Sequence, residues 1–198
     1  AEWRVGDEVV LASTDFNPRQ AERRTIAAIN GNTITLDKKL DYMHFGKITF
    51  DVDQRGEVGL LTRNVKIQAS QDAEQSFFGG HIMAMVTSKM YVSGVELNRM
   101  GQNLELARYP IHWHLTGHAP IDYARFSSIW SSFHRAVVLH RTHGVEVRGN
   151  VAANIWSHTF VVGEDGNETG NVVEDNLGLL TKRLPDSAFV LKRQGAPG

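Results

Sequence analysis

Short runs of alternating apolar and polar residues recur along the whole chain, and glycine, asparagine or serine bounds most of them. Helical periodicity is missing, since no window of about 11 to 18 residues keeps apolar side chains at i, i+3, i+4 and i+7. The pattern therefore predicts an all-β protein. Near the N-terminus, TIAAINGNTITLDKKL places Asn30-Gly31 between two alternating arms, which predicts a β-hairpin. We interpret residues 1–57 as a small β module.

From residue 58 onward, strand-sized segments recur at intervals of about 22 to 30 residues, the range typical of stacked repeats. Two families of segments alternate. The first comprises HIMAMV (81–86), IHWHL (111–115), AVVLH (136–140), HTFVV (158–162) and AFVLK (188–192), and the second comprises MYVSGVEL (90–97), YARFSSI (123–129), VEVRGNV (145–151) and NVVEDNL (171–177). Two strands per repeat predict a parallel β-helix over residues 58–198. A β-sandwich is the alternative, but hairpin signals are few in this region.

Composition narrows the function classes. The 198 residues include 21 basic and 22 acidic side chains, so no bulk charge attracts nucleic acid or an anionic membrane surface. With no cysteine, the chain has neither disulfides nor thiolate metal sites. No apolar run reaches the roughly 18 residues of a spanning helix, which predicts a soluble chain.

Histidines provide the candidate chemistry. If Ile111, Trp113 and Leu115 face inward, His112 and His114 point outward, roughly 7 Å apart. The same alternation predicts that His140 lies over His114 on the next coil, about 4.8 Å away. His81 and His158 begin neighbouring strands and are expected on the same face.

Converging imidazoles suit a divalent metal such as zinc, copper or another transition metal, with calcium less favoured by nitrogen ligands. The predicted metal ligands are His81, His112, His114, His140 and His158. Alternatively, stacked histidines only hydrogen-bond one another and solvent, or contact a substrate. The remaining histidines, His44, His118, His134 and His143, are expected to be surface residues.

Carboxylates and arginines complete the candidate site. Glu164 and Asp165 follow the strand of His158, where one is a candidate general acid, both could complete a metal shell, or the run is an exposed acidic turn. His112 and His114 are the other candidate catalytic residues. Arg108, Arg135 and Arg141 are interleaved with tryptophan and tyrosine, which favours a groove for an acidic polysaccharide. Solvated edge charges are the alternative for these arginines.

Several long stretches closely resemble the family of G8-plus-parallel-β-helix proteins that includes the cell-migration-inducing hyaluronan-binding protein, transmembrane protein 2 and the fibrocystins. The stretches include FFGGHI, YPIHWHLTGH, HRAVVLHRTHGVEV and SHTFVVGEDGNETGNVVEDNLGLLTK, and the likeness covers residues 2 to about 183. The resemblance implies a right-handed β-helix preceded by a G8-like module, an extracellular location and a link to hyaluronan cleavage. The family's motifs fall on His81, His112, His114, His140, His158, Glu164 and Asp165.

Three departures from the family pattern stand out. Extracellular members carry cysteines, for example where this chain has Thr159, and their absence indicates a microbial relative. The insertion after the IHWHL strand is short, and much of the G8 module before Trp3 is missing, as in a minimal relative or a fragment.

Two functions fit these observations. The first is an enzyme that cleaves a uronic-acid glycan such as hyaluronan, by hydrolysis, β-elimination or metal-dependent oxidation. The second is a non-catalytic carbohydrate-binding or structural β-helix module. Exposed coil ends at residues 1–10 or 185–198 further predict self-association.

Overall fold

A computed structural model describes residues 3–163 and 165–183. The chain divides into two compact units between Arg63 and Asn64. The first unit contains β1 (Glu8–Leu11), a 3₁₀ turn (Pro18–Gln20), β2 (Glu22–Asn30), β3 (Thr33–Leu36), β4 (Ile48–Thr49), β5 (Val52–Asp53) and β6 (Val58–Leu60). An antiparallel sheet in the order β3-β2-β1-β6 forms its centre, and β4 pairs with β5.

The hairpin predicted at Asn30-Gly31 joins β2 to β3. Asn30 pairs with Thr33, and Gly31 has a φ of +58°, a left-handed conformation that glycine adopts at little cost. Strand β6, which the sequence analysis placed in the second segment, pairs with β1 in the first unit. A small core of Val9, Ile26 and Leu60 lies under this sheet.

The second unit is a parallel β-helix, as predicted. Its elements are β7 (Val65–Gln68), α1 (Ala73–Ser76), β8 (Ile82–Met85), β9 (Tyr91–Ser93), β10 (Val95–Asn98), β11 (Ile111–His118), β12 (Tyr123–Arg125), β13 (Ser128–Trp130), β14 (Val137–His143), β15 (Glu146–Arg148), β16 (Val151–Trp156), β17 (Phe160–Val162), β18 (Val172–Glu174) and β19 (Leu177–Lys182). About four coils stack into three parallel sheets, ordered β19-β16-β13-β10-β7, β17-β14-β11-β8 and β18-β15-β12-β9. Within the described ranges, no helix has the length and apolar character needed to span a membrane.

Each coil therefore has three strands, and the expectation of two strands per repeat was wrong. The second family of segments contains two strands, separated by a sharp corner at Gly94, Phe126, Gly149 or Asp175. All four corner residues have a positive φ, between +49° and +65°. Because the corner occupies only one or two residues, the two short strands look like one run in the sequence. The repeat strand expected at 188–192 lies outside the described residues.

The interior of the coils is apolar, and corner asparagines tie neighbouring coils together. Ile111, Trp113, Leu139 and other inward side chains form one continuous buried cluster. Asn150 is fully buried at a corner. Its Oδ1 accepts the backbone N–H of Ser127 on one neighbouring coil at 3.0 Å. Its Nδ2 donates to the carbonyl of Ala124 and to Oδ1 of Asn176, both at 2.9 Å. One amide thus bonds to the coils on both sides.

We expect Asn150→Ala to lower the free energy of unfolding by about 2 to 4 kcal/mol, because it removes these bonds and leaves the buried N–H of Ser127 unsatisfied. Urea unfolding followed by tryptophan fluorescence measures the change. Asn167→Ala is the matched control, since Asn167 is an exposed turn residue, and it should change stability by less than about 0.5 kcal/mol. Equal effects of the two substitutions would contradict a structural role for the corner amide.

Candidate metal centre

Three histidines from two adjacent coils converge on the outer face of the sheet that contains β11 and β14. His112 and His114 alternate with Ile111 and Trp113, which lie in the core. In the parallel ladder His114 pairs with His140, as the alternation predicted. The ring centroids of His112 and His114, and of His114 and His140, are each 5.0 Å apart. One ring nitrogen from each histidine lies within 4.8 Å of the other two, so the group could hold a metal ion.

His112 points away from the core but is not on the solvent side of the coil, contrary to expectation. Only 1% of the residue is exposed, because the segment between β10 and β11 lies over it. The ring of Tyr109 packs 4.9 Å from its ring. Ala107, whose φ is +70°, places its carbonyl 3.0 Å from Nδ1. The result is a histidine held by backbone and aromatic contacts within a covered site.

The contact with Ala107 determines which nitrogen of His112 carries the proton. A carbonyl can only accept, so Nδ1 carries the hydrogen and donates it. In the neutral ring, Nε2 then has a free lone pair. This Nε2 is buried and has no hydrogen-bond partner among the described residues. Burial lowers the pKa of His112 to about 4, so the ring is neutral near pH 7. A neutral imidazole whose second nitrogen donates to a carbonyl is the usual form of a metal-binding histidine.

His140 contacts both His114 and Asp165. Its Nδ1 lies 3.1 Å from Nδ1 of His114, and its Nε2 lies 3.4 Å from Oδ2 of Asp165. Asp165 also accepts a hydrogen bond from Nε of Arg141. That bond lowers the pKa of Asp165 below its usual range. Asp165 is therefore a charged carboxylate near pH 7, which favours a role in the shell around the histidines over a role as general acid. Glu164 lies outside the described residues.

His81 and His158 do not join this group, contrary to expectation. The register of β8 with β11 aligns Met83 with His112 and Met85 with His114, so His81 lies before the start of β8, two residues ahead of the position beside His112. There its Nε2 accepts a hydrogen bond from Nη1 of Arg108 at 2.7 Å. His158 precedes β17, and its Nδ1 lies 3.0 Å from the hydroxyl of Ser157.

A second set of rings adjoins the three histidines. Arg135 is 5% exposed and lies over the ring of Tyr109, with its guanidinium carbon 5.4 Å from the ring centroid. His134 packs edge-on against the same tyrosine at 4.8 Å. Burial, with the charge of Arg135, lowers the pKa of His134 to about 3. Tyr109 thus separates two imidazoles and contacts a buried cation.

Of the histidines expected at the surface, His134 is buried, and the side chain of the half-buried His44 is only 8% exposed. His134 is 1% exposed, and its Nδ1 accepts the backbone N–H of Arg135 at 2.9 Å. In the first unit, His44 lies 2.8 Å from the carbonyl of Ala12 and 3.0 Å from Oε1 of Glu22. Tyr109 was not selected as a site residue. Its position next to Pro110 and the IHWHL strand was the only sequence feature that pointed to the site. No periodicity in the sequence shows that the loop between β10 and β11 folds back over His112.

The predicted substrate-binding arginines differ in accessibility. Arg108 is exposed, and the Arg141 side chain is 58% exposed, so both can contact a ligand. Arg135 lies beneath the surface, where its charge acts on His112, His134 and His158. The three imidazoles therefore lie beside cationic side chains, with Asp165 as a carboxylate close to them.

These neutral buried histidines predict a pH-dependent stability. The unfolded chain binds a proton at each ring near pH 6.5, whereas folded His112 and His134 resist protonation until about pH 4 and 3. Stability is therefore fully present above pH 6.5 and falls as the pH decreases, with an uptake of about two protons on unfolding near pH 5. Urea unfolding between pH 7.5 and 5 measures the slope.

His134→Gln should reduce the uptake by about one proton, whereas His118→Gln, at an exposed site, should leave it unchanged. A free energy of unfolding that stays constant from pH 7.5 to 5 would contradict the assignment of both buried rings as neutral.

The sequence is similar to known proteins over most of its length. It is 37% identical to human cell surface hyaluronidase CEMIP2 over 204 residues, which cover 91% of this chain and 14% of that protein. It is 34% identical to mouse fibrocystin-L, over 91% of this chain and 5% of that protein. A G8 domain-containing protein of Dictyostelium discoideum is 35% identical over 88% of this chain and 15% of its own length. The chain thus spans about one seventh or less of each relative.

A family model supplies a match that does not depend on the length of any relative. The CEMIP beta-helix model matches residues 77–194, more than half of the chain, and this range includes all three clustered histidines. The matched range begins directly after α1 and includes β8 to β19. The fold and the resemblance inferred from the sequence are both confirmed: the chain belongs to the CEMIP beta-helix family.

Proposed function

We propose that this chain carries a metal-dependent site for cleaving an acidic polysaccharide, with His112, His114 and His140 as the metal ligands. The observation that carries the proposal is the buried Nε2 of His112, which has a free lone pair and no hydrogen-bond partner among the described residues. Leaving such an atom unsatisfied costs about 1 to 3 kcal/mol. A bound cation would remove that cost.

The donor set indicates the class of metal. Three imidazole nitrogens suit zinc, copper or a related first-row ion, whereas calcium prefers oxygen ligands. Such an ion would supply Lewis-acid chemistry, which lowers the pKa of water and polarises a substrate oxygen. The chain's own residues supply the rest: Ala107 holds Nδ1 of His112, and Asp165 faces His140.

The proposed substrate is a glycan that contains uronic acid, such as hyaluronan. Arg108 and Arg141 are accessible guanidinium groups that can bind carboxylates in a bidentate manner. The buried charge of Arg135 adds a positive potential beneath the site. The name of the human relative, cell surface hyaluronidase, supports both this substrate class and a location outside the cell or on its surface.

A non-catalytic carbohydrate-binding or structural module is the second candidate. Fibrocystin-L and the G8 domain-containing relative share most of this stretch, and their names state no enzymatic activity. This chain also spans only a small part of each relative. In this alternative, the arginines bind the glycan and the histidines hydrogen-bond one another without a metal.

Substitution of the histidines distinguishes the two functions. We expect His112→Ala, His114→Ala and His140→Ala each to lower zinc affinity at least 100-fold, because each removes one of three ligands. Cleavage of hyaluronan, measured by product size, should fall in parallel in the three variants. After a chelator has removed the metal, added metal should restore cleavage only in the unsubstituted protein. His118→Ala is the matched control, since His118 lies on the same strand but is exposed and outside the group.

Glycan binding that persists in all three variants, without cleavage in any of the proteins, would instead establish the binding module. Cleavage by protein from which metal has been removed would show that the reaction does not require a metal ion. Ultraviolet absorbance of an unsaturated product distinguishes elimination from hydrolysis.

Substrate charge gives a separate test. We expect Arg108→Gln to raise the KM for hyaluronan about tenfold, which corresponds to one lost charge-assisted hydrogen bond. Binding of a neutral glycan should not change. Lys38→Gln in the first unit removes an exposed positive charge elsewhere and is the control. Equal losses for neutral and acidic glycans would contradict recognition of the uronate carboxylate.

A further inference from the structure

We infer that Asp165 is a positioning residue that selects the tautomer of His140, and that Arg141 holds Asp165 in place for this purpose. The inference rests on the proposed metal site and assigns a role to a carboxylate that the sequence offered as a general acid or metal ligand. Asp165 acts on the metal through His140. It transfers no proton to a substrate.

The two nitrogens of His140 face different neighbours. Nε2 lies 3.4 Å from Oδ2 of Asp165, and Nδ1 lies 3.1 Å from Nδ1 of His114. A carboxylate can only accept, so it favours the hydrogen on Nε2. With its hydrogen on Nε2, the ring keeps a lone pair on Nδ1, the nitrogen that faces His114. A metal-bound histidine with a carboxylate on its second nitrogen is a frequent arrangement in proteins.

His112 and His140 are then set in opposite tautomers by different acceptors. The carbonyl of Ala107 places the hydrogen of His112 on Nδ1 and leaves Nε2 free. Asp165 places the hydrogen of His140 on Nε2 and leaves Nδ1 free. In each ring the nitrogen that carries the hydrogen donates to its acceptor, and the other nitrogen carries the lone pair. A histidine whose tautomer is fixed in advance loses less freedom when it binds a cation.

Asp165 is itself held by a local network. Nε of Arg141 donates to Oδ2, the same oxygen that faces His140. The backbone N–H of Arg141 donates to Oε1 of Glu168 at 2.9 Å. Oε2 of Glu168 accepts the backbone N–H of Asn167 at 3.1 Å. Arg141, directly after His140 in the chain, thus binds two carboxylates of the turn that follows β17.

Gly163 allows this turn to fold against the histidines. It has a φ of +83°, and its N–H donates to the carbonyl of Leu139 at 2.9 Å, which aligns it with His140. A side chain at this position would overlap the carboxylate of Glu168. Glycine at this position therefore leaves room for Glu168. The turn can then place Asp165 next to His140. The acidic, glycine-rich turn after β17, for which an exposed turn was the alternative, therefore packs next to the histidines.

The test compares Asp165→Asn with Asp165→Ala. An asparagine can still accept from Nε2 through its carbonyl oxygen, whereas alanine cannot. If Asp165 is a positioning residue, zinc affinity measured by calorimetry at pH 7.5 should fall 10- to 100-fold in Asp165→Ala and clearly less in Asp165→Asn. Asp175→Asn, at an exposed corner between β18 and β19, is the control for loss of charge and should have no effect.

Other outcomes overturn the inference. Equal losses in Asp165→Asn and Asp165→Ala would make Asp165 a direct ligand through its charge. Unchanged zinc affinity in both variants, with cleavage abolished, would return it to the role of general acid. Circular dichroism and the Tm of each variant show whether the protein remains folded.

A metal-free measurement separates this inference from the proposed function. In protein with ¹⁵N-labelled histidine, long-range ¹H–¹⁵N spectra report which ring nitrogen carries the hydrogen. We expect His140 to be protonated on Nε2 in the unsubstituted protein and to become a mixture of tautomers in Asp165→Ala. An unchanged tautomer in Asp165→Ala overturns the positioning role even if zinc binds. If the tautomer shifts in Asp165→Ala but the unsubstituted protein binds no zinc, the positioning role of Asp165 stands and the proposed metal site is rejected.

Discussion

The register between β11 and β14 is the constraint on which the site depends. Parallel pairing places His140 directly beside His114 on the next coil. A slip of one residue would turn His140 into the core and expose Leu139, because side chains alternate between the two faces of a strand. Ile111, Trp113 and Leu139 are fully buried, so such a slip would cost several buried apolar side chains. Apolar packing inside the coil thus fixes the position of polar groups outside it.

Alternation of apolar residues was sufficient to predict this pair of strands. It assigned Ile111 and Trp113 to the core and His114 and His140 to the opposite face, because a period of two leaves no other choice once one face is apolar. It could not assign His81 and His158. Both precede their strands, and their distance from the group depends on the register with the neighbouring coil. Sequence alternation contains no information on that register.

Features set by loops and corners were also beyond sequence periodicity. The covering of His112 depends on a positive φ at Ala107, a residue that rarely adopts it. The third sheet was hidden because corners such as Phe126-Ser127 leave only two residues between short strands. The role of Asp165 depends on Arg141, 24 residues earlier in the chain. Such contacts follow from the stacking of coils and have no local sequence pattern.

Charge connects the histidine group with the proposed substrate. Arg135 lies beneath the site and disfavours protonation of His112, His134 and His158, and of these His112 is the proposed ligand that is thereby kept neutral. The same charge opposes a bound divalent cation. Asp165 offsets part of that repulsion through His140, and carboxylates of an acidic glycan would offset more. In the proposed site, metal and anionic substrate therefore bind cooperatively, and by linkage each strengthens the binding of the other by the same factor.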